Sequence, residues 1–200
     1  MSDERLAFLS IAELSPLIRS REISPVEVVD TQLARIERLN PRLGAFVTVA
    51  ATEARAAARA AEAEIARGGW RGPLHGIPVG VKDIFDTAGI RTTHGSSFYR
   101  DHFPAEDAES IRRLKAAGAI VVGKCNTHEF AAGSTTNNPW YGPTRNRGTS
   151  RARRAAPAAA PAPPSPLFCA RPPPAPTPAA PSAAPPPAAA WWGSSPPMAA

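Results

Sequence analysis

The 200-residue chain changes character at Asn146. Up to that residue it carries 18 Lys and Arg, all 17 Asp and Glu, and 8 of its 24 prolines; the 54 residues from Arg147 hold 5 arginines, 16 prolines and no acidic residue. A segment so rich in proline and so short of large apolar side chains can supply neither a sheet ladder nor a packed core. Any globular fold must therefore come from residues 1–146, with residues 147–200 expected to be an irregular Pro/Ala-rich tail. The formal charge of +6 follows the same division, +1 in the first part and +5 in the second. The positive balance thus belongs to the tail and implies no nucleic-acid partner.

Cys125 and Cys169 fall on opposite sides of the break and form neither a disulfide framework nor a metal-ligand spacing, as in a reducing compartment. The opening MSDERLAFLS is charged and has no long apolar run, so no signal peptide is expected, and no segment approaches the roughly 18 apolar residues of a membrane span. The expectation is a cytoplasmic protein with no membrane partner and an oligomeric state that the sequence leaves open.

Within the first part, a helix capped by Ser10 is expected through Ile11, Leu14 and Leu17, with Pro16 tolerated only near its start. Ser24-Pro25-Val26-Glu27 reads as N-cap, first-turn proline and capping-box glutamate. The helix it opens, with Val26, Val29, Leu33 and Ile36 on one face, should stop at Asn40-Pro41. A strand over 43–49 and an alanine-rich helix over 52–67, closed by Gly68-Gly69, come next.

The sequence GPLHGIPVGVKD at 72–83 then runs a Gly/Pro-rich approach into a short strand, in which Ile77, Val79 and Val81 alternate with Pro78 and Gly80 and the strand ends at Lys82. A lysine at a strand end lies at the mouth of a sheet. Burial there would disfavour its charged form and make it available as a base.

Residues 86–100 read as a Gly/Ser/Thr-rich loop. His94 in it has no sequence partner at metal spacing and is expected to be a surface or hydrogen-bonding histidine. Asp107 is expected to cap a helix carrying Ile111 and Leu114 that closes at Gly118, and 119–122 to form a buried strand. Strand, helix and strand at this spacing make a parallel α/β unit. Residues 123–138 read as a short helix and a polar loop, in which Cys125 is a packed thiol rather than a nucleophile served by His128.

Three stretches together, GPLHGIPVGVKD, DAESIRRLKAAGAIVVGKCNTHEFAAGSTTNN and NPWYGPTRN, resemble the amidase signature family over about residues 6–146. The resemblance implies an α/β fold with a mixed sheet flanked by helices, of which this is the N-terminal part. It also implies hydrolysis of small-molecule amides by a serine nucleophile, a second serine bridging it to a lysine, and that lysine as ultimate base. No metal or other cofactor is implied. Lys82 falls on the family's lysine. Gly133, Ser134 and Thr135 fall on the loop that borders the acyl pocket, and this loop looks more like that of general amidases than that of aminoacyl-tRNA amidotransferase subunits.

The same resemblance calls for a GGSSGGS loop and, about two dozen residues later, a DTGGS loop. Neither is present after Asn146. A one-base shift of reading frame accounts for their loss. If each codon consists of the last two bases of the true codon and the first of the next, a proline requires a true codon ending CC, hence Ser, Pro, Thr or Ala. An alanine requires one ending GC, hence Gly, Ser, Arg or Cys. Residues 155–161 (AAPAAAP) are then compatible with GGSSGGS and 177–181 (TPAAP) with DTGGS. Residues 191–199 (WWGSSPPMA) are compatible, base by base, with the family stretch VVGLKPTYG, through two tryptophans and a methionine that each have a single codon. Pro157 and Pro181 stand where the bridging and nucleophilic serines would be, so the chain is expected to be inactive. The alternative is a non-catalytic amidase-like module whose Pro172-Pro173-Pro174-Ala175-Pro176 run serves as a ligand for aromatic grooves.

Overall fold

A computed structural model describes residues 3–146. The expectations for the tail, including Pro157, Pro181 and the proline run, lie outside the described residues. The elements are α1 (Asp3–Leu6), α2 (Ile11–Arg19), α3 (Pro25–Leu43), β1 (Phe46–Val49), α4 (Ala51–Ala66), β2 (Pro78–Lys82), α5 (Glu109–Ala116), β3 (Ile120–Cys125), β4 (Asn137–Asn138) and β5 (Gly142–Pro143). Single 3₁₀ turns stand at Ser97–Tyr99 and Glu129–Ala131. None of the described helices is long and apolar enough to cross a membrane.

Local chemistry explains where the helices begin. Ser10 Oγ accepts from the Glu13 N–H, and the Glu13 carboxylate accepts from the Ser10 N–H at 2.7 Å, a closed capping box. Pro16 lies inside α2 rather than at its start. Both it and Ala12, the residue four before it, are exposed, so water can serve the carbonyl that the missing N–H leaves free. Ser24 caps α3 by accepting from Val26 N–H at 3.0 Å, but it donates to Glu62 on α4 instead of completing a box with Glu27. α3 also passes the expected stop at Pro41 and ends at Leu43, where Gly44 takes the left-handed conformation (φ 59°). Asn40 ties that end to β1, its amide donating to Phe46 O and its carbonyl accepting from Phe46 N–H.

β3 is the centre of a three-stranded sheet, antiparallel to β1 and parallel to β2. The β2–α5–β3 unit is thus the expected parallel crossover, and the sheet is mixed. Alternation along β3 divides its side chains between two layers. Ile120 and Val122 pack with Val29, Leu33 and Ile36 of α3 and with Ala54, Ala58 and Ala61 of α4. Ala119 and Val121 pack with Val79, Val81, Ile90 and Ile111 on the α5 side. The alanines of α4 let α3 and the sheet approach closely, and each fully buried Val or Ile contributes about 1.5–3 kcal/mol. A third cluster, of Leu6, Leu14, Ile18, Ile23, Val28, Ile65 and Ile77, seats α1 and α2.

Asp107 does not cap α5. Its carboxylate accepts from the Ala88 N–H at 2.8 Å and from Lys115 Nζ at 2.7 Å, and the helix starts after Ala108 with no side-chain cap. The tertiary contacts outcompete the local one because the carboxylate gains a cation as well as an N–H.

Candidate active site

Lys82 is the last residue of β2, and the Asp83 N–H extends the ladder by donating to Cys125 O at 2.9 Å. Ile84 and Phe85 then both turn back to donate to Lys82 O. The lysine side chain is exposed. This corrects the expectation of a buried amine: β2 is an edge strand among the described residues.

Asp83 takes the buried position instead, with no solvent exposure. Its carboxylate accepts from the Thr93 N–H at 3.0 Å, from the Thr93 hydroxyl, and from the Gly95 N–H at 3.4 Å. The aspartate therefore holds the 93–95 segment against the strand end that carries Lys82. Between those donors His94 is forced to a positive φ of 51°, unusual for a residue with a side chain.

The 93–96 segment is fastened in turn to the loop after β3. Asn138 donates to Gly95 O at 2.6 Å and Thr127 O at 2.9 Å while its carbonyl accepts from the Trp140 and Tyr141 N–H groups. Ser96 Oγ and Trp140 Nε1 both donate to Glu129 Oε1. Gly133, Ser134 and Thr135 form a bend in this loop, after a 3₁₀ turn rather than the expected short helix. A side chain at Gly133 would stand 2.5 Å from the His128 ring, so close approach requires glycine there. Ser134 is exposed, and Thr135 Oγ1 accepts from the Asn137 N–H at 3.4 Å. The structure thus joins Lys82 to the 133–135 bend through Asp83, the 93–96 segment and Asn138. The buried Thr136 Oγ1, next to the bend, has no hydrogen-bond partner in the structure, and neither has Asn126 Oδ1, whose amide nitrogen donates to Gly44 O and Gly142 O.

Cys125 stands opposite Lys82, half-buried, and a Cβ on Gly80 would come within 2.9 Å of its sulfur. The His128 ring packs on Gly133, so the thiol and the imidazole are each engaged elsewhere.

Two arrangements escaped the sequence reading. Lys124 has no solvent exposure; it donates to Phe85 O and, at 2.9 Å, to Thr87 Oγ1. Burial pushes its pKa down to about 8, partly offset by the nearby carboxylates of Asp83 and Asp86. Its one sequence signal was its place directly after the apolar run Ile120–Gly123. The second is His94, which lies 3.4 Å from Asp86 Oδ1, with His102 Nε2 3.9 Å from the same oxygen. His94 therefore does have partners at metal-ligand distance. Each neighbouring pair stands eight positions apart in sequence, and only the folded loop brings the three together. A separate cavity of about 330 Å³ is lined by Glu64, Arg71, His75 and Lys115 among others, without Lys82 or the 133–135 bend, and does not belong to this site.

Residues 27–151 match the family model described as Amidase. The chain belongs to the amidase signature family. It is 47% identical over 143 residues to the A-type subunit of glutamyl-tRNA(Gln) amidotransferase from Anaeromyxobacter sp. (strain K), covering 72% of this chain and 29% of that one. It is 42% identical over 146 residues to the putative amidase AmiD of Mycobacterium bovis, covering 70% and 31%. The structure of native peptide amidase from Stenotrophomonas maltophilia superposes with a TM-score of 0.64 at 34% identity, covering 70% of this chain and 30% of that one. The chain thus spans about 30% of the length of the amidase-family relatives it matches. The α/β fold seen here is the N-terminal portion of the amidase fold.

Proposed function

We propose that residues 1–146 are the lysine-bearing part of an amidase that cleaves carboxamide C–N bonds through a Ser-Ser-Lys triad, with Lys82 as base. The observation that carries this reading is the placement of Lys82 at the end of β2, beside a loop system that Asp83 and Asn138 tie together, with its amine left open toward the serines that the rest of an amidase would bring. In that role Lys82 would take a proton from the bridging serine as that serine takes one from the nucleophile. The nucleophile's oxygen would bond to the carbonyl carbon, the C–N bond would break as the amine leaves with the proton that Lys82 had taken, and water would then hydrolyse the acyl-enzyme to the carboxylic acid and the free serine. Gly133, Ser134 and Thr135, of which Ser134 is exposed, supply a polar rim on which an amide substrate could be oriented.

The chain itself completes no such triad, since Pro157 and Pro181 offer no hydroxyl at the two serine positions. We attribute this to the one-base shift after Asn146, and expect no amide turnover from the chain. The relatives bear the names of both an amidase and an amidotransferase component, and the substrate class common to both readings is a carboxamide. The deciding experiment is to sequence the coding DNA around codon 146, restore one base, and assay both proteins on simple amides. Turnover by the restored protein alone supports the reading. Turnover by the unrestored chain refutes the loss of the triad. A restored frame without serine-rich loops favours the proline-rich interaction module, in which Pro172–Pro176 would be the binding segment.

A further inference from the structure

We propose that Asp86, His94 and His102 form a binding site for a divalent transition-metal ion of the zinc, cobalt or nickel type. Their ligand atoms, one carboxylate oxygen and two imidazole nitrogens, all lie within 4.8 Å of one another. Metal–ligand distances of about 2.0–2.2 Å at tetrahedral angles place neighbouring ligand atoms roughly 3.3–3.6 Å apart. The separation of Asp86 Oδ1 from His94 Nε2, 3.4 Å, falls at that value, and the 3.9 Å to His102 Nε2 needs only a small closure.

The carboxylate oxygen supplies an independent argument. Asp86 Oδ1 is buried and has no hydrogen-bond partner, although the rest of its side chain is half exposed. A buried anionic oxygen with no donor is costly. A cation seated between it and the two imidazoles would satisfy it.

The ligands are also held in place before any ion arrives. His94 is fixed at its positive φ, with its carbonyl accepting from the Phe130 N–H at 2.8 Å. The His102 N–H donates to Tyr99 O, and His102 O accepts from the Thr92 N–H. The two imidazoles stack at 5.9 Å with an interplanar angle of 28°, and the Tyr99 ring stands edge-on to both. Asp86 O accepts from the Ala108 N–H at 2.9 Å, which fixes the turn after β2. Two imidazoles and one carboxylate suit zinc, cobalt(II) or nickel better than calcium or magnesium. The partial exposure of all three side chains leaves room for water to complete the coordination. An ion there would staple the turn following Lys82 to the 94–102 segment.

The test is titration of the full chain, freed of metal, with cobalt(II) chloride near neutral pH, following the visible absorption of the ion and the heat of binding. One equivalent should bind and give the intensified d–d bands of a four- or five-coordinate site. His94→Ala, His102→Ala and Asp86→Asn should each weaken binding at least as much as the roughly 10–100-fold lost when the shell around a metal site is disturbed. Far-UV circular dichroism checks the fold of each variant, and the half-exposed His102→Gln serves where His94→Ala unfolds. Absence of stoichiometric binding overturns the proposal, as does affinity unchanged in folded variants; either outcome would leave an ordinary histidine–aspartate contact.

Discussion

Lys82 and Lys124 lie on adjacent parallel strands, yet one is exposed and the other wholly buried, because the register slips by one residue between them. Val79 pairs with Val121 but Gly80 pairs with Gly123, so Val81 faces Lys124 and Lys82 faces Cys125. Without the extra residue on β3 the two lysines would be direct partners on one face, since a one-residue slip exchanges the faces of everything beyond it. The slip separates an amine open to chemistry from an amine committed to structure.

Lys82→Ala therefore tests chemistry alone. In the frame-restored protein it should lower kcat by the roughly 10²–10⁴-fold that a general base contributes. In the chain as it stands, urea unfolding should move by less than about 0.5 kcal/mol, as for an exposed position. A large loss of stability would mean that the side chain carries packing the structure does not give it.

Lys124 should instead appear in the pH dependence of stability. The folded chain gives up its proton near pH 8, whereas the unfolded chain holds it to about 10.4. The unfolded state thus binds more protons between those limits, and stability should rise with pH across them, by on the order of 3 kcal/mol in full. Below pH 8 that contribution is absent. Urea midpoints measured from pH 7 to about 10 should climb in the wild-type chain and stay flatter in Lys124→Met.

Asp83 anchors the 93–95 segment with a buried carboxylate. Asp83→Ala leaves the Thr93 N–H and hydroxyl without their acceptor and should cost about 3 kcal/mol, as charge-assisted hydrogen bonds of about 1.5–3 kcal/mol each disappear. Asp83→Asn keeps one acceptor and should recover part of that loss. Amide hydrogen exchange at Thr93 and Gly95 is the local readout, and unchanged protection there would contradict the anchoring.

Gly123 has no room for a side chain: a Cβ would stand 2.4 Å from Thr48 O of β1. Gly123→Ala must push β1 from β3 and should cost at least the roughly 1–3 kcal/mol of an overpacked core. Gly142→Ala has open space around it but a positive φ of 74°, so only backbone strain of about 1 kcal/mol applies. The difference in unfolding midpoint between the two variants measures the strand contact.

Much of the chain is legible in its linear order. The cap at Ser10, the apolar face of α3, the alanine-rich α4, the alternation ending at Lys82 and the parallel β2–α5–β3 unit all follow from local spacing, and local spacing is what a linear reading can see. The family motifs pointed to Lys82 and the 133–135 bend. The remaining features depend on contacts between distant residues, which only the folded chain supplies. Glu62 rather than Glu27 answers Ser24, and Lys115 draws Asp107 away from its cap. Pro16 and Pro41, and the residues four before them, lie at exposed positions, which lets two helices run through prolines. The slip on β3 buries Lys124 while Lys82 stays open, and a folded loop gathers Asp86, His94 and His102, three residues that nothing in their spacing connects.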